Sequence, residues 1–357
     1  MSNTIRVAIL PGDGIGPEVM EQSVQLLQVL QEYFDLKFEF IECPVGGKAL
    51  REFGTPLPDE TLEKCKSAAA VLLGTVGDPE FNNNPIELQP DHALVALRTG
   101  LDTYCGFRSV RLNNVTPVQS SQRSTAVKNI DFVVVRDLQN GLYYKEYIDS
   151  ENEDRMMQAA YDEKNIKRVA RRTFELARIR RRSVTIVDKA HQNSNSRWWR
   201  AIVRETTGEF PLVRLKHISL KDCLENLKHN PFQFDVILTE PACGKAVNES
   251  AEALISSSGR LASACLGDGA SIYQPVHRAH PEMAGKNIAS PIAMMHSVAM
   301  MLHYSFDLPL AAKNIEDAIS AVEIRGDASK KNGTREIGRN ILEEMLNHLS
   351  AQPIMTV

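Results

Sequence analysis

The stretch IRVAILPGDGIGPEVMEQSVQLLQVLQEYF, residues 5–34, places a strand, a glycine-rich turn and a helix in immediate succession. Residues 5–10 are apolar and rich in β-branched side chains, as in a buried strand. From Pro17 onward the apolar positions recur at helical spacing, and proline suits the first turn of a helix. A strand that leads directly into an amphipathic helix is the repeating unit of α/β proteins.

Five further apolar runs continue this pattern along the chain. They are FEFIEC (38–43), AAAVLLG (68–74), FVVVRD (132–137), SVTIVD (183–188) and FDVILT (234–239). Most have helical stretches nearby, which predicts an α/β fold with a largely parallel sheet. Residues 112–131 are polar and rich in turn-forming residues, so we expect a connection over the surface. Residues 291–306 are apolar nearly all round and predict a buried core helix, with a subunit contact as a further possibility.

Composition excludes several classes of protein. With 357 residues, 43% of them hydrophobic, the chain can bury a large core, and its length suggests about two domains. A net charge of −4 offers no basic surface for nucleic acid. The basic run 168–182 has apolar residues at helical spacing, which favours the wet face of an amphipathic helix over an RNA- or membrane-binding stripe.

The expected setting is cytoplasmic. The six cysteines lie far apart with no CxxC pair, which argues against a zinc site or a disulfide framework. The N-terminus enters a strand directly, and no apolar run approaches the ~20 residues that a membrane span needs. We therefore expect neither membrane nor nucleic-acid partners.

Several residues carry candidate chemistry. PGDGIGPE (11–18) has the spacing GxGxG and not the GxGxxG of dinucleotide folds, so a tight turn is favoured over an anion site. Arg98 and Arg108, in LRTGLDTYCGFRSVR (97–111), and Arg136 at a strand end suit bidentate binding of a small dicarboxylate. Tyr143 and Lys189 add a proton donor and a possible base, although each of these residues taken singly also fits a structural role.

Motifs along nearly the whole chain, from Ile5 to about Gly338, resemble the β-decarboxylating (isocitrate/isopropylmalate) dehydrogenase family, most of all its isopropylmalate branch. They are GDGIGPE (12–18), the arginines of 97–111, VVVRDLQNGLYY (133–144), VDKA (187–190), FDVILTE (234–240) and IYQPVHRAHPEMAGKNIASPIAMM (272–295). The resemblance implies an isopropylmalate dehydrogenase-like two-domain α/β fold and not a Rossmann fold. Residues 1–103 plus 256–357 would form the large nucleotide-binding domain. Residues 104–255 would form the dimerisation domain on the substrate and metal side.

The resemblance also implies a reaction and a set of roles. The reaction is oxidation of a 2-hydroxy acid by NAD, loss of the β-carboxylate and protonation of the enolate, in a homodimer whose subunits share active sites. The implied roles are a carboxylate clamp (Arg98, Arg108, Arg136), contact with an apolar substrate branch (Leu94), a base from the partner subunit (Lys189), an acid (Tyr143), adenosine binding (His277, Glu282) and an acid near the nicotinamide (Asp91). An acid such as Glu282 near a ribose hydroxyl favours NAD over NADP.

One departure from the family pattern falls on its metal site. The family sequence TxNxFGDxxSD, with aspartates that bind Mg²⁺ or Mn²⁺, corresponds here to TEPACGKAVNE (239–249). Lys245 and Glu249 occupy the two aspartate positions, and Lys221, beside Asp222, occupies the third. Two ammonium groups repel a cation that needs hard oxygen ligands, so we do not expect a metal there. A lysine ammonium could replace the cation, the protein could be a catalytically inactive relative, or Lys245 and Glu249 could be a plain surface pair.

A second departure falls on the adenosine loop, where the family has PVHGSAPD. Arg278, Ala279 and His280 replace Gly, Ser and Ala, and Ser290 replaces the Asn of IANP. Arg278 could obstruct the nucleotide, or it could pair with a phosphate and redirect nucleotide preference. His191 and Gln274 are milder departures. The sequence therefore predicts an NAD-dependent dehydrogenase acting on a 2-hydroxy dicarboxylate such as 3-isopropylmalate. The alternative is an inactive member that serves as a regulatory subunit, with a paralogous partner, or as a ligand-binding protein.

Overall fold

The computed structural model describes residues 4–115, 128–140, 161–191, 194–255, 261–328 and 332–350. The chain divides into two compact units. We call Met1–Asp102 with Gly259–Val357 the first unit, and Thr103–Ser258 the second unit. That residues 1–103 plus 256–357 bind the nucleotide and residues 104–255 form the dimer contact stays a prediction.

Strands and helices alternate over most of the described chain. Its strands are β1 (Thr4–Gly12), β2 (Lys37–Glu42), β3 (Ala70–Thr75), β4 (Cys105–Val115), β5 (Lys128–Asp137), β6 (Ser183–Asp188), β7 (Arg214–Ser219), β8 (Val236–Thr239), β9 (Ala262–Leu266) and β10 (Ser271–Pro275). Its α-helices are α1 (Gly16–Tyr33), α2 (Gly46–Phe53), α3 (Asp59–Ser67), α4 (His92–Gly100), α5 (Glu163–Ile179), α6 (Ser194–Thr206), α7 (Leu220–His229), α8 (Pro241–Ile255), α9 (Ile292–Tyr304), α10 (Pro309–Arg325) and α11 (Thr334–Ser350). The α/β prediction is confirmed.

The first unit is built on strands in the order β2-β1-β3-β10-β9. The pairs β1–β2, β1–β3 and β3–β10 are parallel, and β9 runs antiparallel to β10. Helix α9 packs on α1, α10, β9 and β10, with ten of its residues buried. Each fully buried large apolar side chain contributes about 1.5–3 kcal/mol, so α9 is a main part of this core, as its sequence predicts.

The β1–α1 connection follows the prediction closely. Val7 to Leu10 are buried in β1, Pro17 lies in the first turn of α1, and the buried face of that helix includes Leu26 and Leu30. Gly12 has φ +75°, and a Cβ there would lie 2.0 Å from the Thr75 carbonyl oxygen. Only glycine therefore permits this close approach of the turn to β3.

The second unit has strands in the order β4-β5-β8-β6-β7. The pair β4–β5 is antiparallel, whereas β5–β8, β8–β6 and β6–β7 are parallel. The predicted surface connection over 112–131 is wrong at both ends, because Leu112 pairs with Ile130 and Val115 with Lys128. Backbone pairing between distant segments overrides the local turn propensity of these residues. Residues 116–127 lie outside the described chain.

Residues 168–179 of the basic run 168–182 lie in the amphipathic helix that their spacing predicts, and the last three residues form a turn after it. Helix α5 buries Ile166, Val169 and Phe174, whereas Arg171 donates two hydrogen bonds of 2.9 Å to the Glu209 carboxylate at the surface. All six cysteines are buried and form no disulfide. Among the described residues no helix is both long and apolar enough to cross a membrane.

Candidate active site

Helix α4 of the first unit presents three of the predicted residues on one face. Asp91 precedes the helix, and Leu94 and Arg98 follow at spacings of three and four, which places all three side chains on the same side. The Arg98 Nε donates to the Cys265 sulfur at 3.3 Å, which ties α4 to β9. Burial raises the pKa of the Asp91 carboxyl, the Asp13 charge adds to the rise, and the Arg278 guanidinium opposes it.

The glycine-rich turn packs directly on the predicted adenosine loop. Ile15 N–H donates to the Ala279 carbonyl at 2.7 Å, and Asp13 N–H donates to the Thr75 carbonyl at 2.6 Å. A Cβ at Gly14 would lie 2.0 Å from the Ala279 oxygen. Because the chain itself uses the N–H groups of Asp13 and Ile15, these contacts favour the tight-turn interpretation over the anion site.

The predicted adenosine loop contains a side-chain hydrogen bond that the family pattern does not provide. His280 Nδ1 lies 2.9 Å from Glu282 Oε1, and this hydrogen bond lowers the pKa of the Glu282 carboxyl. His280 has φ 46°, whereas Arg278 is not among the residues with positive φ. Arg278 therefore carries no left-handed backbone strain, and its side chain is exposed.

His277 and Ser290, two more residues with predicted cofactor roles, have local contacts. His277 Nδ1 lies 3.1 Å from the Arg278 carbonyl oxygen, and burial lowers the pKa of the His277 imidazole. Ser290 Oγ accepts from Ile292 N–H at 3.5 Å at the start of α9. Glu282 keeps 66% of its side chain exposed, so a carboxylate oxygen stays accessible to a ribose hydroxyl. These residues are compatible with an adenosine moiety.

In the second unit, Arg108 and Arg136 lie on one face of the β4–β5 ladder. Arg136 pairs with Gly106 and Arg108 with Val134, so the two arginines are diagonal neighbours on the same side. Helix α8 covers them: a Cβ at Gly244 would lie 2.6 Å from Arg136 Nε, and Glu252 Oε2 lies 3.7 Å from Arg108 Nη1. Two guanidinium groups so placed can grip a dicarboxylate.

A buried turn fixes the end of β5 next to Arg136. The Asp137 carboxylate accepts hydrogen bonds from the Asn140 side chain at 2.7 Å and from the Gln139 and Asn140 backbones. Burial raises the pKa of the Asp137 carboxyl to about 6 in spite of these bonds. Tyr143, three residues after Asn140, lies outside the described chain.

The residues at the family's metal positions do not fit a divalent cation. Lys245 Nζ lies 4.0 Å from Glu249 Oε1 on α8, and their side chains are 71% and 63% exposed. Lys221 is exposed in the first turn of α7, and the neighbouring Asp222 carboxylate accepts from Ser219 Oγ at 2.7 Å. A cation of this class requires several converging oxygen ligands, and two lysines and one glutamate at the three family positions do not supply them.

Lys189 follows β6 and is partly buried. Its backbone N–H donates to Glu240 Oε2 at 3.0 Å. The preceding Asp188 has no exposed side-chain surface and accepts two hydrogen bonds from Arg200, at 2.8 and 2.5 Å. Sequence analysis did not single out Glu240, Asp188 or Arg200. The available signal was a carboxylate at the end of each of two apolar strands.

An α/β chain with this order of glycine-rich turn, arginines, strand-end lysine and adenosine-type loop has the build of a β-decarboxylating dehydrogenase. The chain belongs to the isocitrate/isopropylmalate dehydrogenase family, whose sequence profile matches residues 6–346. The family and fold class predicted from sequence are confirmed.

Individual relatives agree with this assignment. The 3-isopropylmalate dehydrogenase of Aquifex aeolicus is 39% identical over 352 residues, which cover 95% of this chain and 97% of that protein. The enzyme of the same name from Bacillus subtilis is 39% identical over 341 residues, or 94% and 92% of the two chains. The structure of isocitrate dehydrogenase from Methylococcus capsulatus matches with a TM-score of 0.78 and 28% identity, over 96% of this chain and 99% of that one. A β-decarboxylating dehydrogenase from Thermococcus kodakarensis matches with a TM-score of 0.77 and 27% identity, over 97% of each chain.

Proposed function

We propose that this protein oxidises and decarboxylates a 2-hydroxy dicarboxylic acid of the 3-isopropylmalate type with NAD, and that it does so without a divalent metal at the family's site. The observation that carries the proposal is that Arg108 and Arg136 lie on one face of the β4–β5 ladder, beneath α8. Helix α8 has Lys245 where the family has a metal ligand. Two guanidinium groups, with a lysine on the helix that covers them, suit an anionic substrate and an anionic intermediate.

Each group has a defined task in this proposal. Arg108 and Arg136 of the second unit bind a substrate carboxylate. For Arg98 and Leu94 of the first unit we propose the roles that the family resemblance implies, carboxylate binding and contact with the apolar branch. Lys189 of a partner subunit takes the hydroxyl proton as the general base, and Tyr143 returns a proton to the enolate carbon. NAD, when bound, would supply the acceptor for the substrate hydride, and the enolate would form when the β-carboxylate of the oxidised substrate leaves as CO₂. The Lys245 ammonium stabilises the enolate charge electrostatically.

Two subunits are required if the lysine is donated across the interface. The family arrangement implied by sequence places the contact in the second unit, which contains Lys189 and both clamp arginines. We therefore propose a homodimer in a cytoplasmic setting. Sedimentation analysis of the purified chain would measure the subunit number, and a monomer at assay concentration would contradict the shared site.

Turnover with and without chelator tests the proposed function. NADH formation should occur with one of a short panel of 2-hydroxy dicarboxylates that includes 3-isopropylmalate, because the chain has arginines, a lysine and a leucine at the positions proposed for the clamp, the base and the apolar contact. The rates with Mn²⁺ and with EDTA should agree within about twofold, since no step depends on a metal ligand. Loss of turnover in EDTA would show that a metal is still used. Absence of turnover with every substrate would favour the inactive-subunit alternative.

The substitution Lys245→Asp tests the ammonium. Its removal should lower kcat in EDTA by about a hundredfold, the scale of losing one electrostatic donor to the developing charge. The double variant Lys245→Asp/Glu249→Asp restores two aspartates, and calorimetry should then detect Mn²⁺ binding that the wild-type protein lacks. Lys228→Asp, at an exposed lysine on α7, is the matched control. Unchanged turnover of Lys245→Asp in EDTA would exclude this role for Lys245.

The inactive-subunit alternative is favoured by the exposure of the Lys245–Glu249 pair. An exposed i,i+4 pair contributes only about 0.3–0.5 kcal/mol, so it needs no catalytic role to exist. This alternative predicts no turnover and no loss of cellular function on Lys189→Ala. Deletion and Lys189→Ala strains with the same growth defect would contradict it.

A further inference from the structure

The carboxyl group of Glu240 is completely buried where β8 leads into α8. Its Oε1 accepts hydrogen bonds from the Tyr161 hydroxyl at 2.8 Å and from the Ser196 hydroxyl at 2.5 Å. Its Oε2 accepts from the backbone N–H of Lys189 at 3.0 Å. One side chain thus ties three other segments to the end of β8: the approach to α5, the first turn of α6 and the residue after β6.

Burial of a carboxyl group is unfavourable unless its oxygens are hydrogen-bonded. Three donors satisfy both oxygens of Glu240, so its burial is compensated and its carboxylate has a defined position. The buried carboxylate is hydrogen-bonded directly to the backbone of Lys189, the predicted base.

The backbone around Lys189 is fixed from both sides by Glu240 and Asp188. Glu240 N–H donates to the Val187 carbonyl at 2.9 Å, two residues before Lys189, while the Glu240 side chain accepts from Lys189 itself. The Asp188 carboxylate accepts from Ala190 N–H at 2.9 Å, and Arg200 and His217 hold that carboxylate in turn. Hydrogen bonds thus hold the backbone at Lys189 and at the residues just before and after it.

We propose that Glu240 is a positioning residue that fixes the backbone of Lys189, and so the origin of its side chain, for proton transfer. The inference rests on the proposed function in that the lysine is taken to be the base. Glu240 does not touch the reacting atoms, and its effect passes through the Lys189 N–H. A displacement of about 1 Å at a reacting group can cost a hundredfold in rate, so loss of this tether should affect kcat before it affects binding.

Two variants separate positioning from general stability. Glu240→Ala removes all three hydrogen bonds. Glu240→Gln keeps one oxygen, which can still accept from Lys189 N–H if the amide nitrogen faces the Tyr161 and Ser196 hydroxyls, since a hydroxyl can turn to accept. Glu240→Gln should therefore retain most of the activity that Glu240→Ala loses. It also provides a second variant for the test if Glu240→Ala fails to fold. Glu225→Gln, at an exposed acid on α7 of the same unit, is the control.

Two measurements that do not require activity decide the proposal. Mass spectrometry should show amide exchange at Lys189, and its modification by an amine-reactive probe, rising about tenfold in Glu240→Ala, as expected where a local tether is lost. Glu240→Gln and Glu225→Gln should stay within about threefold of the wild-type protein on the same scale. Unchanged exchange and labelling at Lys189 in Glu240→Ala would overturn the positioning role.

Turnover provides the third measurement. In Glu240→Ala, kcat should fall about a hundredfold with KM for the hydroxy acid within about twofold, and Glu240→Gln should regain at least about tenfold of this loss. A rise in KM with unchanged kcat would also overturn the proposal. If the wild-type protein turns over no substrate, the proposed function fails, yet exchange and labelling at Lys189 still decide whether Glu240 positions the lysine.

Discussion

The substitution Lys189→Ala is expected to lower kcat about a thousandfold while the KM for the hydroxy acid changes little, because a general base contributes to proton transfer and the arginines to binding. Lys189 follows a fully paired strand and has its backbone fixed by Glu240 and Asp188, so the substitution should leave the surrounding structure in place. NADH formation under saturating NAD measures kcat and KM. Lys216→Ala, at an exposed lysine on β7, is the control and should behave as the wild type.

A mixing experiment makes the same prediction sharper. Arg136→Ala should also be inactive, because it removes half of the same-face arginine pair. If each active site takes Lys189 from the neighbouring subunit, a mixed dimer of the two variants has one intact site, and random pairing should restore about a quarter of wild-type turnover. Retention of kcat within about threefold in Lys189→Ala, or failure of mixing to restore any turnover, would contradict the shared base.

Local sequence predicted the strands that are continuous apolar runs. Residues 5–10 and 183–188 form β1 and β6 because β-branched residues suit a strand buried on both faces. β4 was not predicted, although Cys105 and Phe107 are buried along it. Arginines and glycine interrupt its apolar character, and only its pairing with β5 shows it to be a strand. The short strand β9 was missed because small residues dominate it, and β10 because only Ile272 and Tyr273 favour a strand before a proline ends it.

The site was predicted as a set of residue types but not as a geometry. The motifs identified Arg108 and Arg136, whereas their position on one face of a ladder depends on the β4–β5 register. The sequence marks Glu240 only as a carboxylate after an apolar strand, because its partner Lys189 is 51 residues away and Tyr161 is 79 away in sequence. Hydrogen bonds over such separations follow from strand order, which a single sequence does not specify.

The pairing of His280 with Glu282 was also invisible in the motif comparison. The comparison treated His280 as a replacement for a small residue and Glu282 as a ribose ligand. The left-handed backbone at His280 brings its ring to the carboxylate two residues later. His280, which replaces a small residue of the family motif, thus has a local hydrogen-bond partner. Lys245 and Glu249, which replace the family's aspartates, likewise pair with each other.

The largest expected effect on stability comes from Asp188→Asn. The Asp188 carboxylate has no exposed surface and holds Arg200, His217 and the Ala190 N–H. Removing one partner of a buried pair costs about 3–5 kcal/mol, and because the Arg200 side chain is 24% exposed we expect about 3 kcal/mol at neutral pH. Both tryptophans of the chain, Trp198 and Trp199, lie in α6 with Arg200, so their fluorescence in urea reports the unfolding of this unit.

The pH dependence of the same variant tests whether charge causes the effect. Burial by itself raises the pKa of Asp188, but hydrogen bonds from Arg200 and Ala190 and the nearby His217 outweigh it, and the pKa is lowered in the folded protein. A lowered folded pKa means that the stabilisation is present above the unfolded pKa and is lost as pH falls through the folded value. The difference in unfolding free energy between wild type and Asp188→Asn should therefore shrink below about pH 4. Asp317→Asn, at an exposed aspartate on α10, should show no difference at any pH. A difference for Asp188→Asn that stays constant as the pH falls would assign the effect to packing rather than to the buried charge.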